Sequence, residues 1–220
     1  MKVLAHPPMV GNMLEMDEIG RFLGQHDVSE VASEGKRQAA VAMVLRAASE
    51  GPEVLFIERA RHESDPWSGH MAFPGGRVDP GDPDPRAAAE RETFEEVGLE
   101  IHGARYLGRL PDLTGRGAAR EQGLVISGHV YFLEQDGPLR IDASEVQQAF
   151  WFPLVDLHVA DRHVPHSYPG ATMEFPGILV GEPGRHVVWG LTYRFLEEFF
   201  SIVGRPLPNR WSFDRDAWSR

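Results

Sequence analysis

Short apolar runs separated by turn signals extend along most of the chain, and this pattern predicts a series of β-strands. Residues 38–48 and 54–60 are the first two, and the turn at residues 49–53 between them indicates a hairpin. Further strands are predicted at residues 70–73, 104–110, 124–133, 147–152 and 171–180. Residues 111–123 and 161–169 read as irregular loops, and residues 154–158 read as a turn of helix.

Helical spacing of apolar residues appears in two segments, and capping signals mark a third helix. Residues 13–25 form the first, and residues 187–203 carry a stripe that we expect in the core, namely Leu191, Phe195, Phe199 and Ile202. The third spans about residues 84–97, with Asp84 as N-cap, Pro85 in the first turn and Gly98 after the last. Strands on both sides of this helix predict an α/β fold with a mixed β-sheet between helices.

A length of 220 residues suits a single domain, residues 1–220, without an obvious linker. We expect residues 1–36 to form an N-terminal helical cap and residues 204–220 to form a C-terminal tail. Because that tail carries Trp211, Phe213 and Trp218, it could dock on the body of the protein or on a second subunit. A homodimer is therefore one expectation.

Composition narrows the class of protein. Hydrophobic residues make up 42% and charged residues 25% of the chain, which are ordinary values for a globular domain. No apolar run approaches the roughly 18 residues that span a bilayer, and the N-terminus is a poor signal peptide, so we expect a cytoplasmic protein with no membrane partner. The absence of cysteine excludes disulfides and thiolate sites, and the net charge of −11 argues against a nucleic-acid partner.

Three glutamates give the helix at residues 84–97 its chemistry. Glu92, Glu95 and Glu96 are spaced so that they share one face, where like charges repel each other. Oxygen ligands in such a group favour a hard cation, Mg²⁺ or Mn²⁺, although a solvated acidic face has the same spacing. Gly75 and Gly76 precede the helix and permit close approach of the backbone.

Residues 75–99 resemble the Nudix box. Its pattern is a glycine, five residues, an acid, seven residues, then R-E-hydrophobic-x-E-E-x-G-hydrophobic. Residues 91–99 match the second half, with Thr93 at the hydrophobic position. In the first half, Asp82 takes the place of a glutamate, and the next spacer is one residue longer.

The resemblance implies a Nudix-like α/β/α sandwich and a diphosphatase that needs Mg²⁺ or Mn²⁺. Its catalytic residues would be Arg91, Glu92, Glu95 and Glu96, with Arg91 orienting the glutamates by a salt bridge. Its metal ligands would be the three glutamates and the backbone carbonyl of Gly76. A small-molecule nucleotide would be the substrate.

An upstream stretch resembles the extra motif of the coenzyme A diphosphatase branch. It consists of residues 55–60, Gly69 and the F-P-G-G run at residues 73–76. The resemblance implies cleavage of coenzyme A or its thioesters to 3′,5′-ADP and 4′-phosphopantetheine, with substrate bound by Arg59, Arg61, Gly75 and Gly76. Ile57 replaces a threonine of that motif, and the position of its second arginine falls on Ser64 or Asp65, so Arg61 is the substitute.

Several alternatives stay open from the sequence. The general base is Glu92, Glu121 or Glu145, and the substrate could instead be ADP-ribose, a dinucleoside polyphosphate or a nucleoside triphosphate. A non-catalytic ligand sensor is a different class, but such domains usually have a damaged box and an attached DNA-binding unit. His62, His70 and His129 lie near the loops around the box, where we expect surface or packing roles.

Overall fold

A mixed β-sheet between helices forms the centre of the structure. The computed structural model describes residues 15–62, 67–115, 123–135, 137–168 and 173–208. Its elements in chain order are α1 (Met16–Gln25), β1 (Arg37–Ala48), β2 (Gly51–Arg59), β3 (Met71–Ala72), β4 (Gly75–Arg77), α2 (Pro85–Val97), β5 (Arg105–Gly115), β6 (Leu124–Leu133), β7 (Val146–Pro153), β8 (His163–Ser167), β9 (Glu174–Leu179), β10 (Val187–Trp189) and α3 (Gly190–Ile202). Two 3₁₀ turns, Leu154–His158 and Ala160–Arg162, connect β7 to β8.

Strand β1 lies in the middle of the sheet and organises its connections. The strand order is β3-β2-β1-β6-β5, with β4 paired to β1 and β7 paired to β2. The β1–β6 pair is parallel, whereas β1 pairs with both β2 and β4 in the antiparallel sense. The ladder between β1 and β4 places Gly76 opposite Ala40 and Gly75 opposite Val41, so the glycine loop is fixed to the centre of the sheet.

Two hydrophobic clusters pack on the two faces of this sheet. Helix α2 covers one face, where Ala88, Ala89 and Val97 meet the buried side chains of β1, β2 and β6. Helices α1 and α3 cover the other face together with the first 3₁₀ turn. The predicted α/β/α arrangement is therefore confirmed, and so is the core role of the α3 stripe, since Phe195 and Phe199 are buried and Leu191 and Ile202 pack against them.

Three sequence predictions are wrong. Residues 111–115, predicted as loop, continue strand β5, because the register shift between Leu110 and Leu113 accommodates Pro111 and lets Leu113 lie buried opposite Ile126. Residues 163–167, predicted as irregular, form β8. Residues 187–189, predicted as helix, form β10, and β8, β9 and β10 build a separate antiparallel sheet of three strands.

The two ends of the chain are described only in part. Helix α1 lies on β5, with Ile19 and Leu23 buried beside Leu107. The tail aromatics Trp211, Phe213 and Trp218 lie outside the described residues. Among the helices that are described, none has the length and apolar character needed to cross a membrane.

Candidate active site

Helix α2 begins and ends where its capping residues predict. Asp84 has an extended backbone, and its carboxylate accepts a hydrogen bond of 2.8 Å from the Ala87 amide. Gly98 ends the helix in the left-handed region, at φ 70°. Thr93, the departure from the hydrophobic box position, is fully buried and donates its hydroxyl to the Ala89 carbonyl at 2.7 Å. The helix therefore accommodates this departure without an unsatisfied polar group.

Arg91 connects the loop before the helix to the acids on it. Its Nε and Nη2 atoms donate to the two oxygens of Asp82, both at 3.0 Å, and Nη2 also donates to the Arg77 carbonyl at 3.1 Å. Its Nη1 atom donates to Glu92 at 3.0 Å and to Glu95 at 2.8 Å. Hydrogen bonds to Asp82, and further contacts with Glu92, raise the pKa of Arg91 and keep it charged. The expected orienting salt bridge is thus present in this geometry.

Glu96 is the most deeply buried of the three glutamates, with 2% of its surface exposed. Its Oε2 atom accepts a hydrogen bond of 2.9 Å from the Gly75 amide. Burial raises its pKa to about 8, against the lowering effects of that hydrogen bond and of the Arg59 charge, and the charges of Glu92 and Glu145 add to the rise. The effect of burial on this carboxyl group therefore outweighs both the Gly75 hydrogen bond and the charge of Arg59.

Glu92 lies directly against the glycine loop. A Cβ atom added to Gly76 would stand 2.5 Å from both oxygens of the Glu92 carboxylate, so only glycine leaves room for it. Burial raises the pKa of Glu92, partly offset by Arg91, and the charges of Glu95 and Glu145 raise it further. The fit places the Gly76 backbone and the Glu92 carboxylate side by side.

Glu95 differs from the other two. Its side chain is 51% exposed, and Arg91 holds one of its oxygens. No cluster of three acidic or histidine side chains in metal-binding geometry occurs among the residues described. Glu92 and Glu96 come together, therefore, while Glu95 is held at the edge by Arg91.

The predicted substrate-binding residues lie around the same loop. Gly75 has φ 146°, and a Cβ there would overlap the Ala40 carbonyl and stand 2.6 Å from the Val41 Cα, so this position requires glycine. Arg59 ends β2, and its charge acts on Glu96. Arg61 follows it and lies over Gly69, with its Nε 3.5 Å from where a Cβ of that glycine would stand.

One of the candidate general bases is brought to the box by tertiary structure. Residues 140–142 are fixed to the end of α2, because the Arg140 amide donates to the Val97 carbonyl at 2.8 Å and the Asp142 amide to the Glu96 carbonyl at 3.0 Å. This places Glu145 close enough to Glu92 and Glu96 for its charge to raise the pKa of both. Glu121 lies outside the described residues.

The histidines have the surface and packing roles that were expected. His129 is buried on β6, between the hydroxyls of Ser127 and Tyr106, and burial lowers its pKa to about 4. His62 is exposed, and its Nε2 donates to the Ser144 carbonyl at 2.7 Å. The ring of His70 packs against Trp189.

Sequence reasoning missed two ionic contacts of this region. The first is the salt bridge between Arg91 and Asp82. The sequence placed Asp82 in the box, and the only sequence feature that relates to this pairing is the extra residue in the spacer between Asp82 and Arg91. The second is the fully buried Glu58, which Arg185 engages at 3.0 and 2.7 Å from 127 residues away. Although burial opposes it, this pairing lowers the pKa of Glu58. No local pattern predicts a pair at such separation.

Comparison with known proteins agrees with this site. The family model of the NUDIX domain matches residues 36–171, which is more than half of the chain and includes the whole loop–helix motif. The chain belongs to the Nudix family. The predicted membership of this family is confirmed, whereas hydrolase activity and the coenzyme A branch stay predictions.

Named relatives of this Nudix domain are themselves described only in general terms. NudL of Escherichia coli K12, an uncharacterized Nudix hydrolase, is 30% identical over 169 residues, covering 76% of this chain and 83% of NudL. A probable nudix hydrolase of Schizosaccharomyces pombe is 35% identical over 167 residues, covering 76% of this chain. The chain spans 56% of that yeast protein and 33% of an uncharacterized yeast protein that is 39% identical over 109 residues.

Solved structures show the same fold. A MutT/nudix family protein from Enterococcus faecalis superposes with a TM-score of 0.55 at 19% identity, covering 87% of this chain and 70% of the other. A NUDIX hydrolase from Alicyclobacillus acidocaldarius gives a TM-score of 0.52 at 18% identity, covering 79% of this chain and 94% of the other. At these identities, the likeness concerns the arrangement of the sheet and helices.

Proposed function

We propose that this protein is a divalent-metal-dependent hydrolase that cleaves the diphosphate of a nucleoside diphosphate derivative. The observation that carries the proposal is the pair of carboxylates formed by the partly buried Glu92 and the buried Glu96, held against the glycine loop with Arg91 and Glu145 beside them. Withdrawing two neighbouring acids from water is unfavourable unless a cation balances them. The proposed substrate is coenzyme A or one of its thioesters.

Mg²⁺ or Mn²⁺ suits the donor atoms of this site. Each of Glu92, Glu95 and Glu96 uses one oxygen in the contacts above, and the other oxygen accepts no hydrogen bond from the residues that are described. These oxygens, with the Gly76 carbonyl, are the hard ligands that both cations prefer. When bound, the metal would neutralise the diphosphate and polarise its phosphorus atoms.

The protein's own residues position the glutamates and the substrate, and one of them serves as the general base. Arg91 fixes Glu92 and Glu95 relative to the loop through Asp82, and Arg59 supplies a positive charge beside Glu96 that can contact a phosphate oxygen. Glu145 is the proposed general base, because it faces the carboxylate pair from outside α2 and is exposed to water. Glu92 is less suited to this role, since Arg91 and Gly76 confine it.

Replacing Glu145 by glutamine tests the assignment of the base. We expect Glu145→Gln to lower kcat about 100-fold or more, since a positioned base contributes about 10²–10⁴-fold, while the KM changes little. The matched control is Glu134→Gln, an exposed glutamate after β6, which should leave kcat unchanged. A Glu145→Gln variant with the kcat of the wild type would remove Glu145 from the mechanism.

A substrate panel tests the proposed activity. Purified protein is incubated with Mg²⁺ or Mn²⁺ and coenzyme A, ADP-ribose, a dinucleoside polyphosphate or a nucleoside triphosphate, and the products are identified by mass. We expect 3′,5′-ADP and 4′-phosphopantetheine from coenzyme A, with no turnover in chelator. If another member of the panel is hydrolysed and coenzyme A is not, the assignment to the coenzyme A diphosphatase branch is wrong, but the proposed hydrolase activity stands.

A further inference from the structure

A cavity of about 660 Å³ lies between the end of β2 and the second sheet. The residues that line it include Arg61, His62, His70, His166, Tyr168 and Arg185. A volume of this size is typical of sites for small organic ligands. Neither the box residues nor the family match assigns a role to the part of the lining that β8 and Tyr168 provide.

Aromatic rings form one wall of this cavity. Trp189 lies behind His166, Tyr168 and His70, with ring centroids at 4.7, 5.1 and 5.0 Å from its own. The packing holds three ring-bearing side chains at the cavity in defined orientations. Burial lowers the pKa of His166, which disfavours its positively charged form. Flat rings at a cavity suit stacking with a base.

Two arginines, Arg61 and Arg185, also line the cavity. Arg185 is engaged by the buried Glu58 and by Glu182, so its charge is already balanced. Arg61 has no carboxylate contact among the residues that the structure describes. A guanidinium group that no carboxylate contacts is suited to binding a phosphate, because it can donate two parallel hydrogen bonds to the phosphate oxygens.

The cavity adjoins the carboxylate site through the end of β2. The Arg59 amide donates to the carbonyl of His70, the residue before β3, at 3.1 Å, so a residue that acts on Glu96 is hydrogen-bonded to a residue that lines the cavity. His62 makes a second connection, by its hydrogen bond to the Ser144 carbonyl next to Glu145. A ligand whose diphosphate lies at the glutamates can therefore extend past Arg59 into the cavity.

We propose that this cavity binds the nucleoside half of the substrate, with the base against His166 and Tyr168 and a ribose phosphate against Arg61. The proposal rests on the proposed function for the position of the diphosphate. It adds the second sheet to the site and makes Arg61 a specificity residue for substrates that carry a phosphate on the ribose. The other half of coenzyme A, phosphopantetheine, would then lie outside the cavity.

Binding measured without turnover tests the subsite. Titration calorimetry in chelator would use 3′,5′-ADP, AMP and 4′-phosphopantetheine with the wild type, Arg61→Ala, Tyr168→Leu and a control, Arg21→Ala, in which an exposed arginine of α1 is removed. We expect Arg61→Ala to lower the affinity for 3′,5′-ADP about tenfold or more and the affinity for AMP less than about threefold. Tyr168→Leu should lower the affinity for both nucleotides about tenfold, and Arg21→Ala should change neither affinity.

Kinetics with coenzyme A separate this proposal from the proposed function. In Arg61→Ala we expect the KM for coenzyme A to rise about tenfold or more with kcat within about threefold of the wild type. Equal 3′,5′-ADP affinity in all variants, or loss of 4′-phosphopantetheine binding instead, would overturn the subsite even if coenzyme A is hydrolysed. Arg61-dependent binding of 3′,5′-ADP by a protein that hydrolyses no coenzyme A would support the subsite and contradict the proposed substrate.

Discussion

Glu96→Gln is expected to abolish diphosphate hydrolysis while the fold is retained. Glutamine keeps the size of the side chain and can still accept the hydrogen bond from Gly75, but it removes the charge of a residue that we propose as a buried cation ligand. The expected loss is on the order of several kcal/mol of transition-state stabilisation, which corresponds to at least about 10³-fold in turnover. Turnover near that of the wild type would contradict the mechanism.

The unfolding temperature of Glu96→Gln serves as a control that this variant retains its fold. Because the folded-state pKa of Glu96 is raised to about 8 from an ordinary value of 4.5, the charged carboxylate destabilises the fold above pH 8, and the cost disappears below pH 4.5. In chelator at about pH 9, Glu96→Gln should therefore unfold at the same temperature as the wild type or higher. Mn²⁺ should raise the unfolding temperature of the wild type more than that of the variant.

Gly76→Ala is the second change with a large expected effect. Its new methyl group would overlap the Glu92 carboxyl group, so the carboxylate must move or the loop must separate from α2. Displacement by about 1 Å of a group that holds the reacting centre can cost about 100-fold in rate, and we expect kcat/KM to fall by at least that factor.

The matched control is Gly81→Ala, in the same loop. A Cβ there would meet nothing within 4 Å, and this variant should keep the activity of the wild type. Comparable activity in Gly76→Ala and Gly81→Ala, measured on the same substrate with Mn²⁺ in excess, would show that Glu92 does not need its position against the glycine loop.

Local signals predicted the motif helix and most strands well. Asp84, Pro85 and Gly98 defined α2 at both ends, and the apolar run at residues 124–133 coincides with β6. The failures occurred where a local pattern was overridden by pairing with a distant strand. Residues 187–189 continued a helical pattern, but they form a strand that pairs with β9. The positive φ of Gly190, 64°, changes the direction of the backbone where this strand ends and α3 begins.

The sequence by itself determined the chemistry of the helix: three carboxylates at helical spacing, an arginine beside them and a glycine loop before them. These features depend on spacings within about 25 residues, which helix geometry and turn preferences control directly. Only the tertiary structure decided which acids lie close together, that Glu145 joins them, and that Arg185 pairs with Glu58 at a cavity beside the site. Burial and charge at such sites depend on residues far apart in sequence, because strand pairing and packing bring them together only in the folded chain.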